Sequence, residues 1–137
     1  MKDYLVLRVV AKLLIPFILL FGLYTQVHGD YGPGGGFQAG VIFASAFVLY
    51  GLVFDQRAVR KVLPVAVILL VMPLGLLLYA GTGLASLIGG GNYLEYGALA
   101  RDAARGNHVG IFVIELGVGI TVACVITTIF YVFAARR

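Results

Sequence analysis

The sequence contains no tryptophan, one cysteine and few charged residues. The single cysteine, Cys124, excludes an internal disulfide and a cysteine-based metal cluster. Only 12% of the 137 residues are charged, whereas 61% are hydrophobic. A water-soluble globular domain of this size has too little interior to hide so many apolar side chains. The chain is therefore predicted to be an integral membrane protein, with the lipid bilayer as its surroundings.

Patterns typical of catalytic sites are also missing. There is no Ser-His-Asp arrangement, no pair of carboxylates and no spacing typical of metal ligands. The net charge of +4 comes from a few basic residues at the ends of apolar segments, which indicates membrane topology rather than nucleic-acid binding. We expect no enzyme activity, no catalytic residue, no metal, no cofactor and no nucleic-acid partner.

Four apolar stretches are each long enough to cross a bilayer, which takes about 20 helical residues for a hydrocarbon core ~30 Å thick. They are residues 5–27, 37–54, 62–88 and 109–134. Together they leave no room for a soluble domain, so residues 1–137 are predicted to form a single membrane domain. The predicted fold is all-α, with four transmembrane helices.

The basic residues are unequally divided between the two ends of these stretches. One side has Lys2, Arg8, Lys12, Arg57, Arg60, Lys61, Arg136 and Arg137, and the other has only Arg101 and Arg105. Because Lys and Arg accumulate in cytoplasmic loops, both termini are predicted to be cytoplasmic. The outer loop before the fourth stretch is expected to hold a short interfacial helix over residues 94–105, ended by Gly106-Asn107.

A glycine-rich segment, the glycine hairpin, joins the first two stretches. It reads His28-Gly29-Asp30-Tyr31-Gly32-Pro33-Gly34-Gly35-Gly36-Phe37-Gln38-Ala39-Gly40. A dinucleotide site is excluded, since that motif needs a preceding strand and a membrane helix precedes this one. At membrane depth an irregular turn persists only where protein buries it or water lines it. We predict an inflexible plug or docking surface with these structural residues: Gly32, Pro33, Gly34, Gly35, Gly36, Phe37, Gln38 and Gly40.

Glu115 is the main candidate for ion chemistry, because an ionisable group within a membrane helix is costly unless it is paired, hydrated or protonated. His108 lies two helical turns earlier on the same face, about 10 Å away. The two side chains could bracket a hydrated path from the outer surface. Alternatively, Glu115 is a protonated, hydrogen-bonded structural carboxyl and His108 an interfacial loop residue.

Lys12 is a third candidate for the ion path, since it lies inside the first stretch, four residues before Pro16. The proline ring crowds the carbonyl group at position 12, and a kink there could direct the ammonium toward a cavity. The alternative is a lysine that extends to the cytoplasmic headgroups. Gln26 and Gln38 flank the glycine hairpin and are expected to hydrogen-bond its backbone rather than to coordinate an ion.

Small residues mark two faces of the fourth stretch. Gly110, Gly117, Thr121, Cys124 and Thr128 form one stripe, which permits close helix packing. Glu115 and Gly119 lie about 200° around the helix, at ~100° per residue. This helix is therefore predicted to pack against protein on both sides.

Two segments carry a family resemblance. The glycine hairpin, together with Gly106-Asn107-His108-Val109-Gly110-Ile111-Phe112-Val113-Ile114-Glu115-Leu116-Gly117-Val118-Gly119-Ile120-Thr121-Val122, resembles the B-subunit family of Mrp-type (Mnh or Sha) multisubunit Na⁺/H⁺ antiporters. The sequence departs mildly from that family at Ala39, where Gly is more often expected. The four-span plan with cytoplasmic termini is consistent with the resemblance over the rest of the chain.

The resemblance implies an accessory subunit of a complex that exports Na⁺ in exchange for entering H⁺ across a bacterial or archaeal plasma membrane. It also implies that the partners are the other antiporter subunits, A, C, D, E, F and G. Two alternatives stay open at this stage. Related subunits occur in membrane-bound hydrogenases and other redox-driven ion pumps, and the chain could instead assemble with copies of itself.

Overall fold

A computed structural model describes residues 4–29 and 31–136, and this part of the chain is helical without strands. The five α-helices are α1 (Leu5–His28), α2 (Gly36–Phe54), α3 (Gln56–Val62), α4 (Val65–Ile88) and α5 (Ala103–Ala135), with a 3₁₀ helix at Tyr96–Leu99. By length and composition, α1, α2, α4 and α5 can each cross a membrane. The predicted all-α class with four candidate membrane spans is confirmed.

The four long helices pack in the order α1, α2, α5, α4, so that α2 and α5 form the central pair. The outer helices are covered on one side only. Of the 18 consecutive residues that form the apolar part of α1, 11% are buried. The buried share of the corresponding 18 residues of α2 is 33%. A large part of the α1 surface is therefore left for lipid or for other proteins.

Glycines bring α5 into backbone contact with both of its neighbours. A Cβ atom on Gly117 would lie 2.7 Å from the carbonyl oxygen of Gly75 in α4. On the opposite side, a Cβ atom on Gly40 of α2 would lie 2.6 Å from the carbonyl oxygen of Gly119. Neither position has room for a larger residue. The predicted two-sided packing of this helix is confirmed.

The start of α5 differs from the sequence expectation. The Asp102 side chain caps the helix by accepting a hydrogen bond from the Ala104 N–H at 3.1 Å, and α5 then continues through Gly106 and Asn107. The predicted separate interfacial helix over 94–105 is wrong, because this range holds only the 3₁₀ helix Tyr96–Leu99 and then the first residues of α5. Gly106 does not end a helix; a Cβ atom at this position would meet the Tyr96 carbonyl oxygen. The glycine therefore lets the 3₁₀ helix pack against α5.

The short helix α3, which the hydropathy pattern does not reveal, connects α2 to α4. It begins after Asp55, whose side chain accepts a hydrogen bond from the Gln56 N–H at 2.7 Å. The Gln56 amide in turn donates to the Tyr131 carbonyl oxygen at 2.9 Å, and the Tyr131 hydroxyl donates to the Leu63 carbonyl oxygen at 2.9 Å. These bonds fix the turn against α5, so the third span begins at Val65 rather than at residue 62.

The predicted orientation can be tested by cysteine labelling in a Cys124→Ala background. Tyr31 and Tyr93 are 78% and 49% exposed at the hairpin end of the bundle, and Arg57 is exposed at the other end. Because basic residues favour the cytoplasmic side, Tyr31→Cys and Tyr93→Cys are expected to react with an impermeant maleimide on intact cells. Arg57→Cys is expected to react only after the cells are opened. The reverse pattern would contradict the orientation.

Candidate functional site

The glycine hairpin makes a compact turn between α1 and α2. After α1 ends, the Tyr31 and Gly32 N–H groups both donate to the His28 carbonyl oxygen, at 3.0 and 3.1 Å. Gly35 then adopts a φ of 137°, a backbone conformation that only glycine adopts without strain. Its carbonyl oxygen accepts from the Ala39 N–H at 3.0 Å and starts α2. The turn is therefore built by backbone bonds and one obligatory glycine.

Glu115 of α5 lies directly against this turn. A Cβ atom on Gly29 would lie 3.0 Å from its Oε2 atom, and one on Gly35 would lie 3.3 Å from its Oε1 atom. A Cβ atom on Gly36 would collide with the Glu115 backbone carbonyl. Three glycines therefore make room for both the backbone and the carboxylate of this residue. The side chain is half-buried between the hairpin and its own helix.

Two amide side chains lie near the hairpin, Gln38 beside Gly35 and Gln26 beside Gly119 of α5. The Gln38 Oε1 atom would lie 3.1 Å from a Cβ atom on Gly35, and the Gln26 Oε1 atom 2.8 Å from one on Gly119. The Gln26 Nε2 atom is buried and has no hydrogen-bond partner in the described part of the chain. The Gln26 N–H groups therefore do not make the expected hydrogen bond to the hairpin backbone, and the amide oxygen lies on the α5 side near Gly119. For the amide oxygens of Gln26 and Gln38 the expectation stays a prediction.

Two imidazole rings flank the hairpin. His28 stacks on Tyr24 with the ring centroids 5.1 Å apart, and its Nε2 atom would lie 2.7 Å from a Cβ atom on Gly32. His108 is exposed and stacks on Tyr31 with the centroids 6.1 Å apart. The sequence analysis singled out His108 for the ion path but not His28. The sequence does contain a signal for the stacking of His28, because Tyr24 lies four positions earlier and therefore on the same face of α1.

Other hairpin residues are exposed at the surface of the bundle. Pro33, Phe37 and Gln38 are exposed, and Phe37 in particular is 60% exposed although its neighbour Gly36 is buried. In the described chain this aromatic ring has its surface open to lipid or to another protein. The buried face of the hairpin is therefore made of glycine, and its outer face of larger side chains.

Lys12 belongs to the other end of the bundle. Its Nζ atom lies 5.6 Å from the centroid of the Phe54 ring, and the Arg8 guanidinium carbon lies 5.4 Å from the same centroid. Phe54 is the last residue of α2, whereas the hairpin contains the first residues of that helix. The 19 residues of that helix separate the two ends by about 28 Å, at ~1.5 Å per residue. The structure does not bring Lys12 together with Glu115 and His108.

The hairpin site gathers oxygen atoms and titratable groups at the end of a membrane span. A carboxylate with a neighbouring amide oxygen offers the hard ligands that small alkali and alkaline-earth cations prefer. The carboxylate can also take up and release a proton, and an imidazole ring lies on either side of the hairpin. The arrangement is chemically suited to hold or pass a proton or a small cation.

Comparison with known proteins gives consistent matches. Residues 6–128 match the sequence model of a family described as a domain related to the MnhB subunit of Na⁺/H⁺ antiporter. The chain is 34% identical over 128 residues to the B subunit of the Na⁺/H⁺ antiporter of Bacillus subtilis, covering 86% of this chain and 89% of that protein. It is 38% identical over 131 residues to the mnhB2 protein of Staphylococcus haemolyticus, named as an antiporter subunit, covering 93% and 92%.

Proposed function

This chain belongs to the MnhB family of Na⁺/H⁺ antiporter subunits, and we propose that Glu115 and the glycine hairpin form a segment of the ion path in such an antiporter. The chain is an accessory, multi-pass membrane subunit of a multisubunit antiporter. One observation carries the proposal: the carboxylate of Glu115 contacts the backbone of an irregular turn at the end of a membrane span. An ionisable side chain in a membrane helix must be paired, hydrated or protonated, and a turn with exposed backbone oxygens beside it supports a role in ion passage.

The transported ions in this proposal are Na⁺ and H⁺. Glu115 takes up a proton or shares a dehydrated Na⁺ with the neighbouring amide and backbone oxygens. His108 lies about two helical turns nearer the start of α5, where its exposed ring exchanges protons with the outer surface. Lys12, at the opposite end, belongs to a separate inner entrance and acts through its charge at the membrane surface.

We further propose that the partners are the other antiporter subunits, namely A, C, D, E, F and G. Support comes from the single-layer packing, which leaves α1 and α4 mostly uncovered, and from a chain too small to alternate access by itself. If Glu115 and the hairpin form only one segment of the ion path, neighbouring subunits must supply the rest of that path across the membrane. The uncovered faces of α1 and α4 are therefore assigned in part to those subunits.

The partner assignment is tested by purifying the affinity-tagged chain from its own host in a gentle detergent and identifying every copurifying protein. All six of the other antiporter subunits are expected in fixed ratio, because the chain belongs to a family of subunits of the Na⁺/H⁺ antiporter. An untagged strain is the control for contaminants. Copurification of hydrophilic iron–sulfur proteins, or a native mass made of this chain alone, would contradict the assignment.

A further inference from the structure

Six basic side chains gather at the end of the bundle opposite the glycine hairpin, which we call the basic end. They come from α1, α3 and the residue after α5, and all six are exposed: Arg8, Lys12, Arg57, Arg60, Lys61 and Arg136. Within residues 4–29 and 31–136, Asp55 is the one acid at this end. Glu95 and Asp102 precede α5, and Glu115 contacts the hairpin. The basic end therefore has a large excess of positive charge.

Contacts with aromatic rings bring the cations of different helices together. The Arg8 guanidinium carbon and the Lys12 Nζ atom lie 5.4 and 5.6 Å from the centroid of the same Phe54 ring. Phe54 ends α2, and α3 begins two residues later. In α3, the Arg60 guanidinium carbon lies 5.2 Å from the ring centroid of Tyr131 in α5. Cations of α1 and α3 are therefore held beside the ends of α2 and α5.

Two pairs of like charges recur at the same helical spacing. Arg8 and Lys12 are four residues apart on α1, and Arg57 and Lys61 are four residues apart on α3. Side chains at this spacing are neighbours on a helix surface, and like charges there destabilise the helix. The single acid at this end cannot neutralise both pairs. Anionic groups from outside the chain would relieve the repulsion, so the basic end is suited to bind them.

The surface around the cations indicates that the anion is an amphiphile. Val9 and Leu13 are exposed next to the cations of α1, and Phe133 is exposed three residues before Arg136. The charged surface is therefore continuous with uncovered apolar surface. An anionic phospholipid offers a phosphate group to the first and acyl chains to the second, whereas free phosphate satisfies only the first. Clusters of Lys and Arg beside membrane helices are typical binding sites for anionic lipids.

We propose that the basic end binds the phosphate headgroups of anionic phospholipids through its two like-charge pairs, Arg8 with Lys12 and Arg57 with Lys61. The headgroups neutralise both pairs and connect α1 to α3 at the end of α2. The charge of Lys12 then acts on lipid phosphate. The inference does not depend on an ion path through Glu115, which lies at the opposite end of the bundle.

The experiment uses the assembled complex, reconstituted with phosphatidylglycerol that carries a diazirine next to its headgroup. After illumination, lipid adducts on this chain are mapped by mass spectrometry of chymotryptic peptides and normalised to the amount of complex. Adducts are expected in α3 and in the first two turns of α1. Unlabelled phosphatidylglycerol should compete with the probe, whereas zwitterionic phosphatidylcholine should not. Competition by inorganic phosphate at constant ionic strength would show a site for free anions and would overturn the lipid assignment.

Two double variants test the pairs separately. Arg8→Gln with Lys12→Gln removes the α1 pair. It is expected to lower the adduct yield on the order of tenfold at limiting lipid, because each cation near an anionic surface strengthens binding several-fold. Arg57→Gln with Lys61→Gln removes the α3 pair, and the same loss is expected. Should a double variant not assemble, the competition between lipids on the wild-type complex decides the outcome.

Arg101→Gln with Arg105→Gln is the matched control. These two exposed cations have the same spacing at the hairpin end, and Asp102 lies between them in the sequence. Their replacement should leave the adduct yield at the basic end unchanged. Equal yields in wild type and in both variants of the basic end would overturn the proposal. So would equal competition by phosphatidylcholine, or cross-links showing that an acidic segment of a neighbouring protein covers the basic end.

Discussion

Glu115→Gln is expected to lower Na⁺-dependent proton transport on the order of 100-fold, the contribution of one positioned proton-transfer group. The complex should still assemble, because the amide has nearly the shape of the carboxylate and fits between Gly29 and Gly35. What is lost is the titratable group. Glu115→Asp is expected to keep partial transport, since the carboxylate remains but is drawn back from the hairpin. Transport is measured in vesicles over pH 7 to 9 and normalised to assembled complex.

A matched control is available in Glu95, an exposed carboxylate outside the membrane-spanning helices. Glu95→Gln removes the same charge without touching the hairpin, so it should transport at the wild-type rate. The alternative structural role of Glu115 predicts that Glu115→Gln keeps the wild-type transport rate. If its protonated form is only a hydrogen-bonding strut, an amide replaces it well, since it also offers a donor and an acceptor. Wild-type rates and Na⁺ affinity for Glu115→Gln would therefore exclude it from the ion path.

Gly36→Val is expected to prevent assembly of the complex rather than to change its transport rate. A Cβ atom at this position collides with the Glu115 backbone carbonyl, so α2 and α5 must separate. Overpacking a close contact costs about 1–3 kcal/mol, and a collision between backbones lies at the upper end or beyond it. Loss of this contact also displaces the carboxylate from the hairpin. The readout is the yield of intact complex in gentle detergent.

Gly81→Val is the matched control for this substitution. Gly81 also lies in an apolar membrane helix, but a Cβ atom there would have no other atom within 4 Å. The same change of residue should therefore leave the yield almost unchanged. Gly34→Val tests the hairpin itself, because its Cβ atom would lie 2.8 Å from the Thr25 carbonyl oxygen. Normal yields for Gly36→Val and Gly34→Val would show that the glycines are not packing residues.

The sequence was sufficient where the physical cause is local. Four apolar stretches of membrane-spanning length predicted four helices, and a lipid environment permits little else for such segments. Helical periodicity alone separated the Gly117 stripe from the face with Glu115 and Gly119, and α5 does pack on both sides. Hydropathy missed α3, because a seven-residue helix at the membrane surface leaves no long apolar run.

The role of each glycine depends on which backbone segment packs against it. Only the tertiary structure shows which segment that is. Gly106 has the composition of a helix stop, yet it lies inside α5 because the 3₁₀ helix packs there. The same limit applies to side chains distant in sequence. The residues around Gln26 in the sequence do not show that its side chain reaches α5, with a donor that the described residues leave unpaired. Nor do the neighbours of His28 in the sequence show that its ring packs beside Gly32. The sequence by itself determined the membrane helices and the acid within one of them. The tertiary structure determined that this acid meets the hairpin, because that contact requires two helices to approach at three glycines.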